Sequence, residues 1–213
     1  MAKTGLFITF EGSEGCGKST QIRRIAERLC GVGREVITLR EPGGTVIGEQ
    51  IRNLLQYDPS AAAMTPEAEL LLFAASRAQL VREVIRPALE RGAVVLCDRF
   101  LDSTTVYQGC ARALSLRQVD AINDFAIGAT MPDLTFLLDL DVAEGRRRAS
   151  FRKGPADRME QEKDEFYEAV RRGYLELAEA HPKRISIIDA AFSEEEVEAS
   201  IITILKERSH GIF

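Results

Sequence analysis

The chain has 213 residues, 45% of them hydrophobic and 29% charged, which is the composition of a globular protein whose length gives no reason to divide it. Its net charge of −5 argues against broad nucleic-acid binding, and no apolar run approaches the roughly 18 residues that span a membrane. Four cysteines (Cys16, Cys30, Cys97, Cys110) without a C-x-x-C pair, and only His181 and His210 beside them, make a poor zinc or disulfide framework. The expectation is therefore reduced thiols in a cytoplasmic protein, with no signal-peptide pattern around the short apolar stretch at Leu6.

Strand-like and helix-like patterns alternate along the chain. Leu6 to Phe10 reads as a buried strand, Lys18 to Val32 as a helix, Glu35 to Leu39 as a second strand and Val46 to Gln56 as a second helix. Thr65-Pro66 is an N-cap and first-turn pair for a long helix that reaches about Glu90. Val94 to Cys97 is a third strand, followed by two shorter helical stretches and a fourth strand at Leu134 to Leu138. A helix precedes the basic run at Arg146, and an acidic one, Glu160 to Ala180, follows it. Arg184 to Ile188 and Glu194 to Glu207 close the chain as strand and helix. Continuous apolar strands separated by helices predict an α/β protein with a five-stranded parallel sheet covered on both faces. Ligands in such sheets sit at the carboxyl ends of the strands.

The first strand runs into Gly12-Ser13-Glu14-Gly15-Cys16-Gly17-Lys18-Ser19-Thr20, which fits G-x-x-x-x-G-K-[ST] and opens a helix. Such glycines turn backbone N–H groups inward around phosphate oxygens, and the helix aims its positive end at them. This predicts an ATP-binding P-loop, with Lys18 reaching the β- and γ-phosphates and Ser19 on magnesium. A GTPase-type switch would need N-K-x-D and D-x-x-G segments, and neither occurs. Strand three ends instead in Asp98-Arg99-Phe100, a carboxylate with a cation beside it, which suits phosphoryl transfer.

Three further segments carry the acceptor chemistry. The second strand exits into Arg40-Glu41-Pro42-Gly43-Gly44-Thr45, with Arg52 on the next helix. Glu69, Phe73 and Arg77 are four apart and share one helix face. After Asp98-Arg99 comes Asp102-Ser103-Thr104-Thr105-Val106-Tyr107-Gln108-Gly109. Singly these read as core, surface charge and turn. Together, with E-G-x-E-G-x-G-K-S-T from Glu11, L-L-L-F-A-A-S-R-A-Q from Leu70 and D-R-M-E from Asp157, the chain resembles the thymidylate kinase family from Phe10 to about Phe192.

The resemblance implies the P-loop NTPase fold with a short lid, one nucleoside monophosphate kinase domain, and the reaction ATP + dTMP → ADP + dTDP with Mg²⁺. It implies that Phe73 stacks on thymine while Arg77, Thr104 and Gln108 bond its edge. Glu14 would hold the sugar 3′-hydroxyl, and Tyr107 would fill the space of a ribose 2′-hydroxyl. Arg52 and Arg99 would grip the acceptor phosphate, Asp98 would orient Arg99 or a magnesium-bound water, and Asp189 to Phe192 would lie near adenine. A homodimer is also implied. The main alternative is a P-loop kinase for another small acceptor, which would not need Phe73, Arg77 and Gln108 together.

Some family members carry an arginine inside the P-loop, where this chain has Gly15. The cation then has to come from elsewhere. Between Arg146 and Arg158 six basic residues stand against one acid, Asp157, so this segment carries about +5 and the rest of the chain about −10. It is the expected lid. Arg152, beside the flexible turn Lys153-Gly154-Pro155, is the expected catalytic cation, while Arg158 is expected to be held by neighbouring acids such as Asp157 or Glu162.

Overall fold

A computed structural model describes residues 5–151, 158, 162–209 and 212. Five parallel strands form one sheet: β1 (Leu6–Glu11), β2 (Val36–Arg40), β3 (Val94–Asp98), β4 (Leu134–Asp139) and β5 (Ile185–Asp189), in the order β2-β3-β1-β4-β5. Alternate side chains of these apolar strands serve two cores. Ile8, Phe10, Leu96 and Phe136 pack under α1 (Lys18–Gly31) and α9 (Glu194–Arg208), against Ile25, Leu29, Ile201 and Leu205. On the opposite face Phe7, Val95 and Cys97 meet Leu80, Val81 and Ile85, while Leu137 meets Val170 and Tyr174 of α8 (Asp164–Ala180). Both faces are thus covered, as the unbroken apolar strands require.

The remaining helices are α2 (Val46–Gln56), α3 (Pro66–Leu80), α4 (Arg86–Glu90), α5 (Leu101–Thr104), α6 (Leu116–Ile127) and α7 (Val142–Ser150). The long helix expected to reach Glu90 does so, but a π-helical turn at Val81–Ile85 separates α3 from α4. Pro87 has no N–H to donate to the Glu83 carbonyl, and the widened turn just ahead of it absorbs that mismatch. The acidic helix starts later than its charge pattern predicts: Lys163 is extended and takes the N-cap of α8.

Every strand ends in a charged residue, Glu11, Arg40, Asp98, Asp139 and Asp189 in turn. The register sets Arg40 and Phe10 beside Asp98, and Asp139 beside Asp189. This one edge of the sheet therefore gathers the ionised side chains, and the site lies there.

Candidate active site

The phosphate loop follows β1, and Gly12, Gly15 and Gly17 all have positive φ. Gly17 caps α1 without a side-chain bond, and the first turn of α1 holds no acid. By contrast Thr45, Thr65, Asp141 and Ser193 cap α2, α3, α7 and α9 with side-chain oxygens. The positive end of α1 is thus left for an anion. Lys18 Nζ donates to the Gly12 and Ser13 carbonyls at 3.0 and 2.8 Å, and Ser19 Oγ donates to Asp98 Oδ2 at 2.8 Å.

Gly15 has a second reason to be glycine. A Cβ there would lie 2.0 Å from the Gly145 carbonyl oxygen, and one on Gly145 would lie 2.6 Å from the Glu14 carbonyl oxygen. The loop and α7 touch backbone to backbone. An arginine at position 15 would have to displace the helix that carries Arg146, Arg147 and Arg148.

Arg99 is held in the left-handed region, φ 71, which costs a non-glycine residue roughly 1 kcal/mol or more. Its N–H donates to the Phe10 carbonyl at 3.0 Å. Its guanidinium donates to Glu14, to the Gly12 carbonyl at 3.0 Å and to Ser103 and Tyr174 hydroxyls at 3.3 Å each, and it lies 5.2 Å from the centre of the Tyr107 ring.

A single cleft of about 820 Å³ joins this loop to the residues expected around the acceptor, within the usual range of small-ligand sites. Glu14, Arg52, Phe73, Arg77, Thr104, Tyr107 and Gln108 all line it, as do Asp98 and Arg99. Phe73 shows a half-buried ring to the cleft, while Arg77, on the same face of α3, is fully buried. Arg77 spends most of its donors on the protein: Glu41 Oε2 at 2.8 Å, Asn123 Oδ1 at 2.8 Å, Thr104 Oγ1 at 2.9 Å and the Phe100 carbonyl at 3.2 Å. It thereby ties the β2 exit to α5 and α6, and one Nη1 hydrogen remains for a ligand. Burial raises the Glu41 carboxyl, with Arg77 opposing the rise. Gln108 Nε2 donates to Glu69 at 2.9 Å, which fixes its amide so that the oxygen is the end left over. Tyr107 is buried with an unpartnered hydroxyl, and Arg52 Nη1 donates to the Pro42 carbonyl at 3.0 Å.

The basic segment is only partly described. Arg148 reaches the cleft wall, donating to the Ala190 carbonyl at 2.9 Å and to Glu144 at 2.7 Å. Two hydrogen bonds, from Arg147 and Arg148, push Glu144 down to about 2. Arg146 pairs with Asp164 at 2.9 Å, pointing towards α8. Arg152 and Lys153 lie outside the described residues. Arg158 pairs with Glu69 of α3 and donates to the Leu55 carbonyl at 3.1 Å, while Glu162, one of its two expected partners, pairs with Arg112, and Asp157, the other, lies outside the described residues. Glu69 is buried, where an uncompensated charge is costly, and it gathers both Arg158 and, at 3.5 Å, Arg112. Ala190 and Phe192, expected near adenine, line the cleft beside Arg148.

Three residues with no expected role belong to the site's framework: Glu11, Ser103 and Tyr174. Glu11 and Ser103 sit inside motifs quoted above, but nothing in the sequence around Tyr174 marks it. For a metal, Ser19 and Asp98 offer one hydroxyl and one carboxylate, and no group of three or more His, Cys, Asp or Glu among the described residues could hold an ion alone. That donor set fits magnesium, which keeps waters and shares phosphate oxygens, and does not fit zinc.

A five-stranded parallel sheet with a glycine-rich loop between its central strand and an uncapped helix is the P-loop NTPase fold, here with the cation-rich cleft of a phosphotransferase. The family model for thymidylate kinase matches residues 10–201. A thymidylate kinase of Deinococcus radiodurans is 50% identical over 97% of this chain and 98% of its own length, and one of Pseudomonas fluorescens is 51% identical over 98% and 100%. The crystal structure of thymidylate kinase from Ehrlichia chaffeensis superposes with a TM-score of 0.77 at 34% identity, covering 95% of this chain and 99% of that one. The chain belongs to the thymidylate kinase family. No helix among the described residues is long and apolar enough to cross a membrane.

Proposed function

We infer that the chain transfers the γ-phosphoryl group of ATP to dTMP, giving ADP and dTDP. One observation carries this reading beyond family membership: a single cleft runs from the phosphate loop to a half-buried aromatic ring, Phe73, set between Arg77, Gln108 and Tyr107. ATP phosphates would rest on the amides of Gly12 to Thr20 and on Lys18. Thymine would stack on Phe73, with its edge at the Gln108 oxygen, the spare Arg77 hydrogen and Thr104. Glu14 would take the sugar 3′-hydroxyl, and the unpartnered Tyr107 hydroxyl would occupy the place of a ribose 2′-hydroxyl.

Catalysis is mainly positioning and neutralisation of charge. Two phosphates held in line repel, and unit charges 4 Å apart interact by about 4 kcal/mol at an effective dielectric near 20. Arg99, Arg52, Lys18 and the lid arginines Arg148 and Arg152 are the cations we assign to that task. Magnesium, held by Ser19 and Asp98 when bound, would neutralise charge on the β- and γ-phosphates. No general base is needed, because a phosphate monoester with a second pKa near 6 has already lost its proton at pH 7.5.

We further assign residues 1–213 to one kinase domain with residues 146–158 as lid. We also assign α3 and α6 to a homodimer contact, since Leu71 and Phe125 stand 56% and 82% exposed on these neighbouring helices. The direct test of the activity is ADP release against a panel of nucleoside monophosphates. dTMP should be the best acceptor and AMP and GMP very poor ones. Equal activity on the purines would overturn the base assignment.

A further inference from the structure

Glu11 ends the central strand, is fully buried and does not border the cleft. Its carboxylate is nonetheless satisfied three times over. Oε1 accepts the Phe100 N–H at 2.7 Å, and Oε2 accepts the Ser103 hydroxyl at 2.6 Å and the Tyr174 hydroxyl at 2.8 Å. Each of those groups touches Arg99 or is joined to it. Phe100 follows it in the chain, and the two hydroxyls are the ones 3.3 Å from its Nη1.

We propose that Glu11 is a positioning residue for Arg99, orienting the Ser103 and Tyr174 hydroxyls and the Phe100 peptide so that the guanidinium is held over the phosphate loop. This rests on the assignment of Arg99 to the phosphates. A hydroxyl has one proton and two lone pairs. The two hydroxyls also lie 2.8 Å from each other, so their protons are shared between that contact and Glu11; with the carboxylate accepting, neither proton is turned on Arg99, which can only donate, and lone pairs are left to face it. A backbone at φ 71 needs such support, because left-handed geometry persists in a non-glycine residue only where its surroundings over-determine it. Glu11 bonds the very next peptide.

The ionised form is essential to this arrangement. A protonated or amide side chain would offer a hydrogen to Ser103 or Tyr174 and turn that hydroxyl round, onto the other hydroxyl or towards the guanidinium, taking up lone pairs that otherwise face Arg99. The groups facing Glu11 are Arg99, Asp102 on α5, Tyr174 on α8, Cys97 on β3 and Arg184 ahead of β5. Burial, then the Asp102 charge, pushes Glu11 up to about 7, against the pull of Ser103, Arg99 and Tyr174. The arrangement therefore sharpens as pH rises through neutrality.

The test is a double-mutant cycle in steady-state kinetics with ATP and dTMP: native protein, Glu11→Gln, Arg99→Ala and the pair. Glu11→Gln should lower kcat by about 10–100-fold, the scale of a misplaced catalytic group. The dTMP KM should move less than about threefold, and in the Arg99→Ala background the same change should cost less than about twofold. The native kcat should carry a limb near pH 7 that Glu11→Gln removes. An equal cost in both backgrounds would assign Glu11 to structure alone and overturn the proposal. An Arg99→Ala enzyme as active as the native one would instead overturn the phosphate assignment of Arg99, and this proposal with it. Should Glu11→Gln fail to fold, Tyr174→Phe keeps the carboxylate and enters the same cycle: loss confined to the Arg99-containing background supports positioning, and equal loss refutes it.

Discussion

Phe73 and Arg77 share a face of α3, yet the structure separates their work. The ring of Phe73 is half-buried and borders open space, whereas Arg77 is fully buried among protein acceptors. Stacking on an aromatic plane is worth roughly 1–3 kcal/mol per base. Phe73→Ala should accordingly raise the dTMP KM by tens of fold, measured in the ADP-release assay, while leaving the ATP KM nearly unchanged. The lid arginines divide in another way. Arg148 is anchored to Glu144 and to the Ala190 carbonyl at the cleft wall. Arg152, our assigned transition-state cation, should act only once both substrates are in place. Arginine fingers in comparable reactions contribute about 10³–10⁵ in rate. With other basic residues beside it, Arg152→Ala should cut kcat by about 10²–10³ and move the dTMP KM less than about fivefold. Arg152→Lys should recover only part, since a point charge cannot fork across two oxygens. A silent Arg152→Ala with a severe Arg148→Ala would transfer the role to Arg148.

Among the elements, α1 and α7 set the site's character. The N-terminus of α1 is left open by Gly17, where we place the ATP phosphates, and α7 lies against the loop that precedes it, glycine on glycine. A methyl group added at Gly145 would sit 2.6 Å from the Glu14 carbonyl oxygen. Overpacking of this kind costs about 1–3 kcal/mol. Gly145→Ala should lower the melting temperature by a few degrees and raise the ATP KM, because α7 and the loop must part to relieve the clash. Unchanged values of both would show that the contact yields without cost. The seven residues of the π-helical turn Thr105–Ala111 matter for the same reason: the widened turn presents Tyr107 and Gln108 to the cleft, a common use of π geometry.

For the molecule as a whole, the buried carboxyl of Glu11 links stability to pH. Its folded value is raised to about 7 from 4.5, so the stability it contributes is present below about pH 4.5 and is lost as pH rises through about 7. The loss is on the order of 3 kcal/mol. Glu11→Gln has no such titration, so its melting temperature relative to the native protein should climb between pH 5 and pH 8. A pH-independent difference would contradict the shifted value. Activity and stability thus favour opposite charge states of one residue. Assembly is testable at the same scale. Phe125→Glu puts a charge on the exposed aromatic side chain of α6, in the homodimer contact we propose; sedimentation should show a dimer for the native protein and a monomer for the variant, with the fold retained.

The phosphate loop, the strand-end Asp98-Arg99 and the alternation of strands and helices were all legible in the sequence, because each is a local pattern: backbone turns demand glycine, and buried parallel strands demand unbroken apolar runs. The helix interrupted at Val81–Ile85 was legible only in extent, and its π turn is the consequence of one proline. What the chain did not declare is who pairs with whom. Six cations between Arg146 and Arg158 were countable, but that Arg158 crosses to Glu69 follows from the burial of Glu69 in the first turn of α3. Likewise Arg77 has the right residue type and spacing for a base contact, and only packing reveals that Glu41, Asn123 and Thr104 take most of its hydrogens. Tyr174 meets Glu11 across 163 residues of chain. Local geometry is written in neighbouring residues, whereas the partner of a buried charge is chosen by whichever distant elements the hydrophobic core brings within 3 Å of it.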